Sequence, residues 1–424
     1  MRELATPAYP SASLSMSEVF DVLGVATAGD RAGGGMFSRD ALRALYWEAR
    51  NRYAERRVLF PHSTTRVAAM FGKAGFDPRS YRNSYPDLAA SIPSDEAAIV
   101  HFCRFSSDST RHFPIELEAE GLSQIVRSRL RPSVKARILA GLFASYCVPW
   151  SALWTLDEAQ FDKFWSHVIS LLDGELRPFV VTGDSHCHIY CRLFERDGVY
   201  FVPLPFICYA ASARGLVSRM SRSGAGIRLS RLAQALERAG ARVPVIFKFG
   251  QVDVEFVFDF HRSQAGEIAF SEEKWRAFAT TSAANYVDFV ADHFQRQPLR
   301  VMGIFPPALA DDVLRAGYAN ASVVASEGLQ DLSELVAALR KLEFPDRRER
   351  TRLHLLFNEM VKAHAERRSI PFFDDFPFYA GADGQVNEAF IPTHRGTDHH
   401  LEKQSTRQTA IKIIKAVLSD MNYH

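Results

Sequence analysis

The chain has 424 residues, of which 47% are hydrophobic and 24% charged. That composition describes a globular protein with a sizeable core and room for roughly two or three domains, and it excludes a disordered or fibrous chain. The 51 Lys and Arg nearly balance the 49 Asp and Glu, for a formal charge of +2, so the bulk charge calls for neither nucleic acid nor an anionic membrane. Five cysteines without framework spacing fit a reducing compartment. No stretch approaches the about 18 uncharged apolar residues of a membrane span, and the expectation is a cytoplasmic protein without one.

Residues 1–38 are rich in Ser, Ala, Gly and Pro and end near Gly33-Gly34-Gly35, the composition of a flexible arm. Residues 39–176 read as a helical N-terminal region. Apolar residues recur at three- and four-residue spacing in Ala41, Leu42, Leu45, Tyr46 and Ala49, and again from Trp150 through Phe161, Phe164, Trp165 and Val168 to Leu171. Between these segments lie Phe76-Asp77-Pro78-x-x-Tyr81, Tyr85-Pro86-Asp87-Leu88 and Ala97-Ala98-Ile99-x-His101-Phe102, in which Asp-Pro and Pro-Asp turns start short helices that aromatic residues hold together. This pattern resembles a short helical module of bacterial proteins concerned with surface polysaccharides. The resemblance implies a carbohydrate partner, although a purely structural hairpin needs the same residues.

From residue 177 to 424 the rhythm changes to short apolar strands alternating with helices. Strands are predicted at Phe179–Val181, Val199–Val202, Val243–Phe249, Leu299–Ile304 and Ile370–Phe373. Helices are predicted at Ile227–Ala239 and Glu272–Gln295, twice within Leu329–Ser369, and at Lys403–Met421. Such alternation predicts an α/β domain, a mostly parallel sheet of about five strands covered by helices on both faces. Ligands bind such sheets at the carboxyl ends of the strands, where Ser185, Gly250 and Asp374 are expected to gather.

The motif that carries chemistry is Thr182-Gly183-Asp184-Ser185-His186-Cys187, placed after the first strand. A glycine there permits a sharp turn, and the amides of the following helix face an oxyanion. Taken with a Gly-x-x-Asp after a central strand and an Asp/His cluster before the last helix, residues 177–424 resemble the SGNH, or GDSL-type, hydrolase superfamily. The resemblance implies a flavodoxin-like, three-layer α/β/α domain with a Ser-His-Asp site for acyl transfer, without metal or cofactor. It carries over Ser185 as nucleophile and Gly215 as the second-block oxyanion donor, with Gly224 and Gly226 as rivals. The family's Gly-x-Asn becomes Gly250-Gln251-Val252-Asp253, and because valine cannot donate, Gln251 is the substitute to examine. The family's Asp-x-x-His becomes Asp398-His399-His400, one residue short. His400 is the expected base, His399 the second choice and Asp398 the orienting carboxylate, with Asp374 or Asp375 as substitutes. Asp184, His399 and Asp253 complete the expected substrate-facing set.

Other readings compete. Gly-Asp-Ser also suits an ordinary turn, and Asp253 and Glu255 suit polar contacts at a strand exit. His186-Cys187-His188-x-x-Cys191 and His394-x-x-x-Asp398-His399-His400 hold metal-ligand residue types, though at no standard zinc spacing, and imply a metal-dependent hydrolase as an alternative. Cys187 and Cys191, one turn apart, equally suit a core. The function expected is that of a serine-dependent esterase or acyltransferase acting on acyl groups, O-acetyl above all, of a bacterial glycan or another small ester. A further alternative is a glycan-binding or polysaccharide-assembly protein with weakened catalysis, suggested by Val252 and the short Asp/His spacing.

Overall fold

Unbroken apolar runs become the centre of a sheet because only a strand covered on both faces can bury every side chain. In the computed structural model β1 (Leu176–Gly183) is such a strand, with Phe179, Val180 and Val181 all buried. The others are β2 (Phe194–Arg196), β3 (Val199–Ile207), β4 (Val245–Lys248), β5 (Leu299–Met302) and β6 (Phe372–Phe373). They form one six-stranded sheet in the order β2-β3-β1-β4-β5-β6. All pairings are parallel except that of β2 with β3. The antiparallel β2 was not expected. It joins β3 through Asp197-Gly198, whose φ angles of +54° and +80° suit a two-residue hairpin turn.

The structure describes residues 70–424 apart from 85, 93, 106–118, 147–156, 173, 220, 222, 319–331, 393–398, 422 and 424. The chain divides into two units, Met1–Ala69 and Met70–His424, and the second is the one described. The arm expected over 1–38, the predicted helix around Ala41, and residues His394 and Asp398 lie outside the described residues.

The helices that cover the sheet are α1 (Pro132–Tyr146), α2 (Glu158–Leu171), α3 (Ala225–Arg238), α4 (Glu272–His293), α5 (Arg347–Arg367) and α6 (Arg407–Asp420). Their starts follow capping chemistry. Asp157 and Gln160 cap α2 reciprocally, Ser271 accepts from Lys274 N at the start of α4, and Asp346 accepts from Glu349 N at the start of α5. On one face Phe179, Val181 and Ile246 share a core with Ile413, Ile414, Val417 and Leu418 of α6. On the other, Phe206 meets Trp165 of α2 at 6.0 Å between ring centroids, and Phe247 meets Phe294 at 4.8 Å. Each such large side chain contributes about 1.5–3 kcal/mol by leaving water.

Ahead of the sheet, Asp77 caps Pro78–Asn83 through the amides of Arg79 and Ser80. Phe71, Phe76, Tyr81 and Phe102 pack together, with Phe76 and Phe102 only 4.2 Å apart, and the Tyr81 hydroxyl lies 3.0 Å from His101 Nδ1. Among the described residues no helix is long and apolar enough to cross a membrane.

Candidate active site

The site begins where β1 and β4 end side by side. A Cβ on Gly183 would lie 2.0 Å from Lys248 O, so only glycine lets the two strand ends approach this closely. Asp184 leaves the strand in extended conformation and caps a 3-10 helix, Ser185–Tyr190, by accepting from His186 N at 3.0 Å. Its Oδ1 is also 2.9 Å from His186 Nδ1. The helix expected after the turn is thus a short 3-10 segment, and it buries Cys187, Ile189 and Tyr190 while Ser185 stays partly exposed.

Of the adjacent histidines, His400 is the one beside the serine, with Nε2 2.7 Å from Ser185 Oγ. His399 is buried with its ring 4.0 Å from that of His400, and its Nδ1 lies 2.8 Å from the Tyr318 hydroxyl. The His186 ring closes the group, with centroids 5.0 Å from His399 and 4.6 Å from His400. Two anchors hold the His399–Lys403 segment against the serine turn. Leu401 is buried in the core under α6, and Arg192, itself buried, donates to Ile189 O at 3.0 Å and to Lys403 O at 2.8 Å. Asp398 lies outside the described residues.

The other expected site residues are engaged elsewhere. Gly215 N donates to Ser212 O and Ser212 Oγ within its own turn. Gln251 is buried, donating from Nε2 to Glu255 Oε1 at 2.7 Å and to Phe305 O at 3.2 Å while its Oε1 accepts from Phe305 N. Val252, at the position where the resemblance expects an asparagine, is buried. Asp253 accepts from Ala213 N and Arg214 N at 2.6 and 3.0 Å, fastening the loop that carries Gly215. Asp375 accepts from Lys248 Nζ at 2.8 Å and from the Tyr190 hydroxyl, and Asp374 accepts from Phe376 N and Asn358 Nδ2.

Burial dominates the electrostatics. It pushes Asp184 and Asp253 up to about 6, offset in each by backbone amides that donate to the carboxylate. Glu255 rises to about 8 and His354 falls to about 3, both through burial. Where His354 Nε2 approaches Glu255 Oε1 at 3.9 Å, burial disfavours the charged form of both groups. The buried Cys187 thiol is pushed up, and that of Cys191 up to about 12, which suits core packing.

Three residues around the site had not been singled out in the sequence: Arg192, Tyr318 and Lys248. Lys248 had a signal, since a lysine inside an apolar strand must find a buried partner. Arg192 and Tyr318 act through positions about 211 and 81 residues away and leave no local trace.

No family model matches the sequence, and no curated protein does. Among solved structures the chain is similar to a crystal structure from Bacteroides fragilis described as a "putative acylhydrolase", with a TM-score of 0.31 and 14% identity over 61% of this chain and 96% of that one.

Proposed function

We propose that the protein is a serine-dependent esterase or acyltransferase. The observation that carries this reading is the 2.7 Å approach of His400 Nε2 to Ser185 Oγ at the carboxyl edge of the sheet. Ser185 attacks an acyl carbonyl as His400 accepts its proton, and the imidazolium then gives that proton to the leaving alcohol. Water or a second hydroxyl next takes the acyl group from the serine. Asp398, by the family resemblance, orients His400. The Ser185 amide at the head of the 3-10 helix is the first oxyanion donor, and with Val252 in the asparagine's place one donor fewer costs about 100- to 1000-fold in rate.

The sheet order supports the finer fold reading. Without the antiparallel β2, the parallel strands follow the 2-1-3-4-5 order of flavodoxin-like three-layer folds, and Ser185 and Gly250 flank the point where that order reverses. For the substrate we propose O-acetyl groups of a bacterial glycan. The N-terminal helical module supports this, as does Phe378, exposed and stacked on Phe373 5.9 Å away just beyond β6, a platform for a sugar face.

The test is hydrolysis of p-nitrophenyl acetate and acetate release from an O-acetylated polysaccharide by wild type and Ser185→Ala. We expect a loss of about a thousandfold or more with an unchanged circular dichroism spectrum. Full activity in the variant would overturn the assignment.

A further inference from the structure

We propose that His186, His399 and His400 form a site for one divalent transition-metal ion, zinc by the chemistry of its donors, and that an ion bound there takes His400 from Ser185 and silences the serine. The binding half stands on geometry alone. The silencing half rests on the serine-hydrolase reading above.

Each histidine offers one ring nitrogen, and the three nitrogens lie within 4.8 Å of one another. Tetrahedral zinc with bonds of about 2.0–2.1 Å holds its nitrogens roughly 3.3–3.4 Å apart, so modest ring rotations close the set. Two of the rings already have the outer partners that orient metal ligands. Asp184 Oδ1 is 2.9 Å from His186 Nδ1 and the Tyr318 hydroxyl 2.8 Å from His399 Nδ1, which turns Nε2 of each ring to the ion. His186 and His399 are buried and His400 is partly exposed, so an ion arrives from the serine side. Charge is also provided for. The Asp184 carboxylate adjoins the cluster, and the nearby Lys248 is matched by Asp375 at 2.8 Å. All-imidazole donors suit zinc, copper or nickel rather than magnesium or calcium.

The switch follows from a single lone pair. His400 Nε2 accepts the Ser185 proton through it, and a metal bound to Nε2 occupies it. Neither half of this cluster had a metal-binding spacing of its own. His186 comes from one predicted histidine group and His399 and His400 from the other, while His188 is drawn off to Lys403, 2.5 Å away.

The experiment titrates the EDTA-treated full chain with Zn²⁺ by calorimetry and with Co²⁺ by visible absorption, then follows fluorophosphonate labelling with and without saturating Zn²⁺. We expect one ion per chain, binding kept in Ser185→Ala, and affinity at least tenfold weaker in folded His186→Ala and His399→Ala. Absorption fine structure of the zinc-loaded wild type, which needs no variant to fold, should give three imidazole ligands. Labelling should slow about 100-fold, the size of a general-base contribution, and recover with EDTA. No binding, binding indifferent to both variants, or a zinc shell without three imidazoles overturns the site. Binding that leaves labelling unchanged overturns the switch. Absence of labelling even without metal overturns the serine reading and the switch with it, while the binding result stands by its own measurement.

Discussion

Two neighbouring strands of the sheet end side by side and put their polar residues to opposite uses. After β1 the chain turns at Gly183-Asp184 and offers a partly exposed Ser185 to His400, 215 residues further on. After β4 it turns at Gly250, whose φ of +113° only glycine readily adopts, and Gln251, Asp253 and Glu255 are drawn inside. There they fasten the Phe305 backbone, the Ala213 and Arg214 amides, and one another. A polar residue at the carboxyl edge of a parallel sheet is thus a candidate for chemistry only when the scaffold has not already claimed its hydrogen bonds. The β4 exit fastens neighbouring backbone, and the β1 exit sets Ser185 beside His400.

The largest expected effect lies at the β1 exit. His400→Ala removes the acceptor for the serine proton, and ester hydrolysis should fall about a thousandfold or more with little change in melting temperature. Because groups that act as a unit are not additive, the Ser185→Ala/His400→Ala double variant should be no slower than either single one. Steady-state kinetics of the three variants would break the pairing if the losses simply multiplied.

Next comes the β4 exit. In Asp253→Asn the amide can accept from only one of the two backbone N–H groups and sets its own NH₂ against the other, which should cost about 2 kcal/mol. Urea denaturation measures this, and turnover should fall less, through the loosened 211–215 loop. Abolished turnover at unchanged stability would make that exit catalytic as well and erase the contrast.

The smallest effect is a pH dependence. The pKa of Glu255 rises from 4.5 to about 8 on burial, so the folded state favours its neutral form. Its contribution to stability is complete below 4.5 and is lost as pH rises through about 8. Glu255→Gln keeps the acceptor for Gln251 and cannot ionise. Thermal melts near pH 6 and pH 9 should show the variant losing less stability than wild type, with a gap of about 1 kcal/mol or more at the alkaline end. Equal losses would mean that Glu255 is ionised when folded.

How much of this was legible in the sequence followed the range of the forces involved. The parallel strands and α3 to α6 were readable because apolar spacing is local, and so was the Gly183-Asp184-Ser185 turn. The antiparallel β2 had a signal in Asp197-Gly198, outweighed because only three residues pair on its side. That Gln251 bonds Phe305 was not legible, since its partners are backbone groups 54 residues away that carry no residue identity. The meeting of His186 with His399 and His400 had no local trace for the same reason. Nor did the spacing of Asp398, His399 and His400 say which ring faces Ser185, because that depends on how Leu401 and Arg192 seat the segment.

The most direct measurement is reaction of the full chain with a fluorophosphonate probe, with the adduct located by mass spectrometry in wild type and His400→Ala. The expected result is a single adduct on Ser185 that forms about 100-fold or more slowly without His400. No adduct in the metal-free wild type, or one that forms on Ser185 as fast without His400, would contradict a serine activated by that histidine.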